Sequence, residues 1–306
     1  SCKNPNCPEC GSVDKEIWIH KQERFTLNVN YFHVVFTIPN ELNVLCLIDP
    51  KFMYKVLFDI SAETIKELSK DKTYLGAKIG FTSVLHTWGQ NLSLHPHIHM
   101  IVPGGGIDSN GKWKNSKKKF FLPVKVVSKL FKGKFLSYTK KNFDQRKIKD
   151  KEQFQEIINS CYSKDWVVYT KKPMKSAKHV VKYLGRYTHR IAISNARLKK
   201  YEDNKVTFSY KDYSDHNQIK EMTLDDTEFF RRYMMHVLPS NFMKIRHYGF
   251  LGNRNKEERI KAIRTATNTK DPEPFLIDYE QIISDILKRD VSICIKCGQK
   301  RHHKLE

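Results

Sequence analysis

The chain has 306 residues, 40% hydrophobic and 12% aromatic, which is enough for one large domain or two smaller ones with real cores and excludes a disordered polypeptide. Lysine and arginine number 55 against 33 acidic residues, a formal charge of +22, so the expected partner is a polyanion, nucleic acid well before an anionic membrane. No apolar run of about 18 residues is present, which excludes a transmembrane helix; no signal peptide is visible, and the seven cysteines, five of them in two short clusters at the ends, read as zinc ligands in a reducing cytoplasm.

Taken in order, the chain opens with Cys2, Cys7 and Cys10 in the spacing C-x4-C-x2-C, followed by Gly11. Cys7-Pro8-Glu9-Cys10-Gly11 has the tight knuckle of a zinc ribbon, in which two thiolates and the turn backbone wrap one ion; three unpaired thiols are the plainer alternative. A closed structural site takes four ligands, so the fourth is expected upstream of Ser1 or at His20. Tyr31 to Pro39 alternates and is rich in β-branched and aromatic residues, which predicts a strand. Phe52 to Ser69 carries Val56, Leu57, Ile60, Ile65 and Leu68 at helical spacing.

Phe81 to Trp88 and His95 to Val102 read as two strands of a hairpin turning through Gly89 to Leu94. His95, His97 and His99 occupy alternate positions of the second strand, so their rings leave one face of the sheet. Strand histidines are commonly solvated or hydrogen-bonded pairs, but two imidazoles at i and i+2 can also grip one divalent ion. Pairing of the two strands sets His86 about opposite His97 and adds a third imidazole on the same face, with positions left open for substrate. His95, nearer the turn, and Gln90 are the alternatives for the third ligand. Gly104, Gly105 and Gly106 end the strand.

Gly104 to Lys119 is glycine- and lysine-rich, with Trp113, and reads as an exposed loop whose Lys117 and Lys118 either touch phosphate or form an ordinary solvated run. Lys125 to Lys141 and Lys151 to Tyr162 read as helices, and Trp166 to Thr170 as a strand. Ala177 to Arg190 (AKHVVKYLGRYTHR) reads as a helix on which Tyr183 and Tyr187, four apart, share one face, with Arg186 and Arg190 as a second such pair. A tyrosine pair alone is more often an aromatic face packed on a core. Downstream of a histidine site and flanked by arginines, the two phenols are instead candidate nucleophiles toward a phosphodiester, whose charge the arginines and a metal would manage. Arg190 to Arg197, Val206 to Tyr210 and Ile219 to Leu224 suggest a further β region. Glu228 to Arg246 reads as one basic amphipathic helix carrying Arg231, Arg232, Lys244 and Arg246; Lys256 to Arg264 and a segment beyond Pro272 and Pro274 are further helices. The chain ends with Cys294, Cys297 and Gly298, then His302 and His303, either a second zinc knuckle or an unligated pair.

Read together, YFHVVFTIPNEL, LHTWGQNLSLHPHIH, the GGG that follows, YLGRYTHRIAISNARL and HVLPSNFMKIRHYGFLGN resemble, block by block and in order, the two-tyrosine HUH transposases of the IS91 type, over nearly the whole chain. The HUH element, histidine–hydrophobic–histidine, is here His97-Ile98-His99, and the N-terminal cysteines resemble the tail of the family's zinc-binding domain. The resemblance implies an α+β fold of the Rep-type HUH nuclease class, a central antiparallel sheet with helices packed on it. It also implies single-stranded DNA, at transposon ends and target, as substrate, and Mg²⁺ or Mn²⁺ held by His97 and His99. Tyr183 and Tyr187 are implied as the nucleophiles of rolling-circle-like transposition through 5′-phosphotyrosine intermediates.

The chain then divides into a partial zinc-binding segment (1–27), a nuclease domain (28–225) and a basic helical C-terminal region (226–306), with Zn²⁺ at Cys2, Cys7 and Cys10 and a possible knuckle at Cys294, Cys297 and His302. Arg186, Arg190, Lys117, Lys118, Arg231 and Arg232 are the candidate DNA contacts, and host replication proteins are conceivable partners. Two other classes fit parts of the sequence. A non-catalytic zinc-containing DNA-binding regulator explains the charge and the cysteines but not the histidines and tyrosines together. A rolling-circle replication initiator or relaxase shares the chemistry, although no G-x4-G-K-[ST] helicase signature is present.

Overall fold

The computed structural model describes residues 11–117, 121–148, 150–174, 180, 185, 192–272 and 278–300. Helix α1 (Gly11–Glu23) leads into strand β1 (Tyr31–Thr37), and α2 (Asn43–Ile48) and the long α3 (Pro50–Lys70) precede a hairpin of β2 (Phe81–Trp88) and β3 (Leu94–Pro103). A short ribbon of β4 (Gly105–Ile107) and β5 (Trp113–Asn115) follows, then α4 (Val124–Asn142), α5 (Lys151–Ser163) and β6 (Val168–Met174). Strands β7 (Leu198–Glu202), β8 (Lys205–Asp212) and β9 (Gln218–Asp225) run into α6 (Asp226–Met234), β10 (Ile245–Tyr248), α7 (Lys256–Ala266) and α8 (Tyr279–Leu287).

The central sheet has the order β10-β2-β3-β1-β6 and is antiparallel throughout. The period-2 alternation predicted for β1, β2 and β3 sorts their side chains onto two faces. Phe32, Val34, Phe36, Leu85, Ile98, Met100 and Val102 take one face and pack against α3, α4 and α5 in the main core. Helix α3 starts where Asp49 accepts the Phe52 amide at 3.0 Å with Pro50 at its first position, and it buries Met53, Leu57 and Ile65. Phe131 and Phe135 of α4 are fully buried; truncating either to Ala costs about 3–5 kcal/mol. The resulting one-sided helical layer leaves the other face of the sheet for Tyr31, His33, Val84, His86, His97, His99 and Ile101.

The three-stranded sheet β7-β8-β9, with α6, forms a second small core around Phe208 and Phe229. That core also takes in Leu92, at the tip of the β2–β3 hairpin, and the side of Trp88. Among the described residues no helix is long and apolar enough to cross a membrane.

Two expectations are corrected. The single helix over Glu228 to Arg246 is in fact α6, ending at Met234, then a turn, then strand β10 at the edge of the central sheet, where Ile245 pairs with Val84. Pro239 removes a backbone donor, Asn241 adopts φ +60°, and the Phe242 amide closes a turn on the Pro239 carbonyl at 3.0 Å. Gly104 to Lys119 is not a plain exposed loop. Gly104 to Gly106 are buried, β4 pairs with β5, and a Cβ on Gly105 would lie 2.4 Å from the Trp113 ring, so only glycine admits that ring.

Candidate metal centre

β3 presents His97 and His99 on one face, and the antiparallel register sets His86 of β2 directly opposite His97 and Val84 opposite His99. Each of the three imidazoles offers a ring nitrogen, and these atoms lie within 4.8 Å of one another. Nitrogens around one ion at about 2.0–2.1 Å stand somewhat closer together than this, so binding would draw the rings inward. The ring centroids of His86 and His97 are 5.3 Å apart, those of His86 and His99 4.5 Å, and those of His97 and His99 4.8 Å. His95 stands outside this group, its ring 5.1 Å from that of His97. Gln90 lies on the turn, where its amide reaches the Tyr213 hydroxyl at 3.5 Å.

Hydrogen bonds select which nitrogens face inward. His97 Nδ1 donates to the His95 carbonyl at 2.6 Å, leaving Nε2 as the lone-pair nitrogen. His99 Nδ1 lies 2.8 Å from Nε2 of His33, buried on β1, with the two rings stacked at 5.0 Å. With Nδ1–H of His99 donating to His33, Nε2 of His99 is again the free-electron-pair nitrogen. Burial pushes the His97 pKa down to about 4 and also lowers that of His95. His97 is therefore neutral near pH 7, the form in which imidazole binds a metal. The Trp88 ring stacks on His86 at 4.5 Å and walls the site on the turn side.

The turn itself is held from outside. Leu92, buried at φ +62°, sits under His236, which contacts the Leu92 carbonyl through Nε2 at 3.1 Å and the Thr87 hydroxyl through Nδ1 at 3.2 Å. The Arg197 guanidinium donates to the Gln90 carbonyl and Arg232 to that of Asn91 at 3.3 Å. A hairpin whose tip is pinned at three carbonyls keeps its strand ends, and so the histidines, in fixed register.

Tyr183, Tyr187, Arg186 and Arg190 lie outside the described residues. Within their segment Val180 and Gly185 are described and are helical. Val180 is buried with Tyr31, Val84 and Ile101, and the last two stand two positions from His86 and His99 on the same face of the sheet. A Cβ on Gly185 would fall 2.2 Å from Cδ1 of Ile19 in α1, so glycine there allows close approach of the helix.

The remaining candidate residues are dispersed. Lys117 is exposed, and Lys118 lies outside the described residues. Arg231 and Arg232 both bind Glu228, at 2.6 and 2.7 Å, and hold its carboxyl down at about pKa 2. Cys2, Cys7, Cys10 and His302 lie outside the described residues, and His20 sits in α1 with Nδ1 3.6 Å from Glu23. Cys294 and Cys297 border a tight turn: the Gly298 amide, at φ +70°, donates to the Cys294 carbonyl at 2.9 Å, and Ile293 bridges to Lys300. His33, His236 and Arg197 escaped the sequence reading. His33 alternates with apolar neighbours like any core residue, and only the β1–β3 register shows that it reaches His99.

Residues 80–259 match a family model described as "Putative transposase", and residues 1–38 match a "Transposase zinc-binding domain". The chain is 39% identical to "Putative transposase y4qJ" of Sinorhizobium fredii, over 98% of this chain and 79% of that relative. It is 28% identical to the "Transposase for insertion sequence element IS801" of Pseudomonas savastanoi pv. phaseolicola, over 98% of this chain and 73% of that protein. No solved structure matches.

Proposed function

The chain belongs to the IS91 family of transposases, and from that premise we propose that it cleaves and rejoins single-stranded DNA by metal-assisted tyrosine attack on a fold of the Rep-type HUH class. The observation that carries this reading is the cluster of His86, His97 and His99 on the face of the sheet against which Val180, three residues before Tyr183, is buried.

His86, His97 and His99 are the proposed ligands of Mg²⁺ or Mn²⁺. Three imidazoles, with the Nδ1 hydrogen bonds of His97 and His99 made elsewhere, suit a divalent ion and favour the softer of these two. Such an ion, when bound, polarises a non-bridging phosphate oxygen and offsets the charge that develops there. The phenol oxygen of Tyr183 or Tyr187 attacks phosphorus, the phenol proton leaves, and the bond from phosphorus to O3′ breaks. O3′ takes up a proton as a free 3′-hydroxyl, and the 5′-phosphate stays on the tyrosine. No water is consumed, so the reverse attack by a 3′-hydroxyl rejoins a strand. A phenol with a pKa near 10 is mostly protonated at neutral pH, and Arg186 and Arg190 are assigned to lowering that pKa and holding the phosphate. Two tyrosines serve two cleavages in one transposition event. Zinc is assigned to Cys2, Cys7 and Cys10, within the segment that matches the zinc-binding domain.

The test separates binding from chemistry. His97→Ala and His99→Ala should abolish cleavage of a labelled single-stranded oligonucleotide in Mn²⁺ yet keep most affinity, which comes from many lysine and arginine contacts. Undiminished cleavage by His99→Ala removes the metal site from the mechanism.

A further inference from the structure

An open cleft of about 690 Å³ lies between the C-terminal end of α1 and the start of α7, on the β10 side of the histidine face. Its floor is made by His247 of β10, whose Nδ1 is 2.9 Å from the Thr82 hydroxyl. Thr82 and His86 are four residues apart on the same face of β2, so the cleft and the candidate metal centre are separated by about 13 Å along one strand.

The cleft is lined by three cations, Lys21, Arg24 and Lys256, that form no ion pair among the described residues. Lys256 is only 8% exposed, and its ammonium rests 3.6 Å from the centre of the Phe25 ring. Among the described residues its one hydrogen bond is to the Gln22 amide oxygen at 3.4 Å, and no carboxylate forms an ion pair with it. The Nε of Arg24 is buried with no hydrogen-bond partner among the described residues. A buried cation without a counter-charge is costly unless an anion meets it in use. Burial pushes the Lys256 pKa down to about 8. Lys21 adds a further cation at the rim, and the Gln22, Asn253 and Asn255 amides supply paired donors and acceptors. Glu257 and Glu258, exposed in the first turn of α7, also line the cleft and make no ion pair with its cations among the described residues.

We infer that this cleft is a nucleotide-binding subsite for the DNA strand on its way to the histidine centre. It takes one unpaired base at the edge of the Phe25 ring, whose centre the Lys256 ammonium covers, with the base read by Gln22 and Asn253, and the adjoining phosphate on Lys256 and Arg24. The chemistry is that of single-strand binding generally, an aromatic ring beside a cationic track. Its distance from the histidines places the held nucleotide a short stretch of extended strand away from the scissile phosphate, where it fixes which phosphate is presented. This inference rests on the single-stranded DNA reading above.

The test uses the full chain in EDTA, so that binding is read without cleavage, and a fluorescent single-stranded oligonucleotide in a series with one abasic position each. Arg24→Gln and Phe25→Ala should each weaken binding about tenfold, and Arg24→Gln should lower the slope of log affinity against log salt by about 0.7. In the wild-type protein one position, or two adjacent ones, should be sensitive to base removal, and Phe25→Ala should erase that sensitivity. Asn253 is exposed, so Asn253→Ala tests the site with no threat to folding; it should alter base preference at the same position. Wild-type affinity, salt slope and abasic profile in both Arg24→Gln and Asn253→Ala overturn the subsite while leaving single-strand binding intact. Failure of the wild-type protein to bind any single-stranded oligonucleotide overturns the parent reading, and the subsite with it.

Discussion

His33 Nε2 on β1 lies 2.8 Å from His99 Nδ1 on β3, so a buried histidine outside the candidate cluster is placed to orient a proposed ligand. Removing such an outer partner typically costs 10–100-fold in metal affinity. His33→Phe should therefore weaken Mn²⁺ binding, measured by calorimetry, by about that factor. His33→Gln, which keeps an acceptor near His99, should recover part of it. Equal affinity in His33→Phe and the wild type would show that His99 needs no such orientation.

The ring geometry separates His86 from His95 as third ligand. His86→Ala should weaken metal binding as much as His97→Ala does, and His95→Ala should change it less than about threefold. Because imidazole favours softer divalent ions, Mn²⁺ and Zn²⁺ should bind more tightly than Mg²⁺ in the same titration. A larger loss from His95→Ala than from His86→Ala would reverse the assignment.

His236 gives the fold a pH dependence of known sign. It is 2% exposed, burial pushes its pKa down to about 4, and its ordinary value in an unfolded chain is about 6.5. Between those values the unfolded chain binds the proton and the folded one does not, so stability is complete above about pH 6.5 and falls as pH drops toward 4. The loss from this group alone is on the order of 3 kcal/mol. His247 and His97, both pushed down to about 4 by burial, act in the same direction. Denaturant melts from pH 7.5 to 4.5 should show this decline, and His236→Gln, able to donate to the Leu92 carbonyl without titrating, should flatten part of it. A slope identical in His236→Gln and the wild type would place the pH sensitivity elsewhere.

The net charge of +22 predicts steep salt dependence of DNA affinity, about 0.7 log units per log unit of salt for each phosphate contacted on a single strand. A flat response from 50 to 300 mM salt, read by fluorescence anisotropy, would assign the charge another purpose.

The parts legible in the sequence were those in which a local pattern carries its own partner. The alternation of Phe81 to Trp88 and His95 to Val102, with a short turn between, sets His86 opposite His97, and the structure has that register. Helix α3 was readable from its spacing for the same reason. What stayed hidden depends on contacts between distant segments. His33 meets His99 across 66 residues, and His236 meets Thr87 across 149. Residues Ile245 to Tyr248 look like the end of a basic helix until Pro239 and Asn241 turn the chain and β2 offers an open edge to pair with. The glycines after Pro103 read as part of an exposed loop, yet Gly105 admits the Trp113 ring.

The central claim is covalent chemistry at Tyr183 and Tyr187, and the most direct measurement is adduct mapping. The full chain is incubated with a labelled single-stranded oligonucleotide carrying the element's end and Mn²⁺, then denatured, digested and analysed by mass spectrometry. The account predicts a 5′-phosphotyrosine adduct on the peptide containing Tyr183 and Tyr187. It should persist in either single Phe variant and vanish when Tyr183→Phe and Tyr187→Phe are combined. An adduct on any other residue, or cleavage that continues in the double variant, contradicts it.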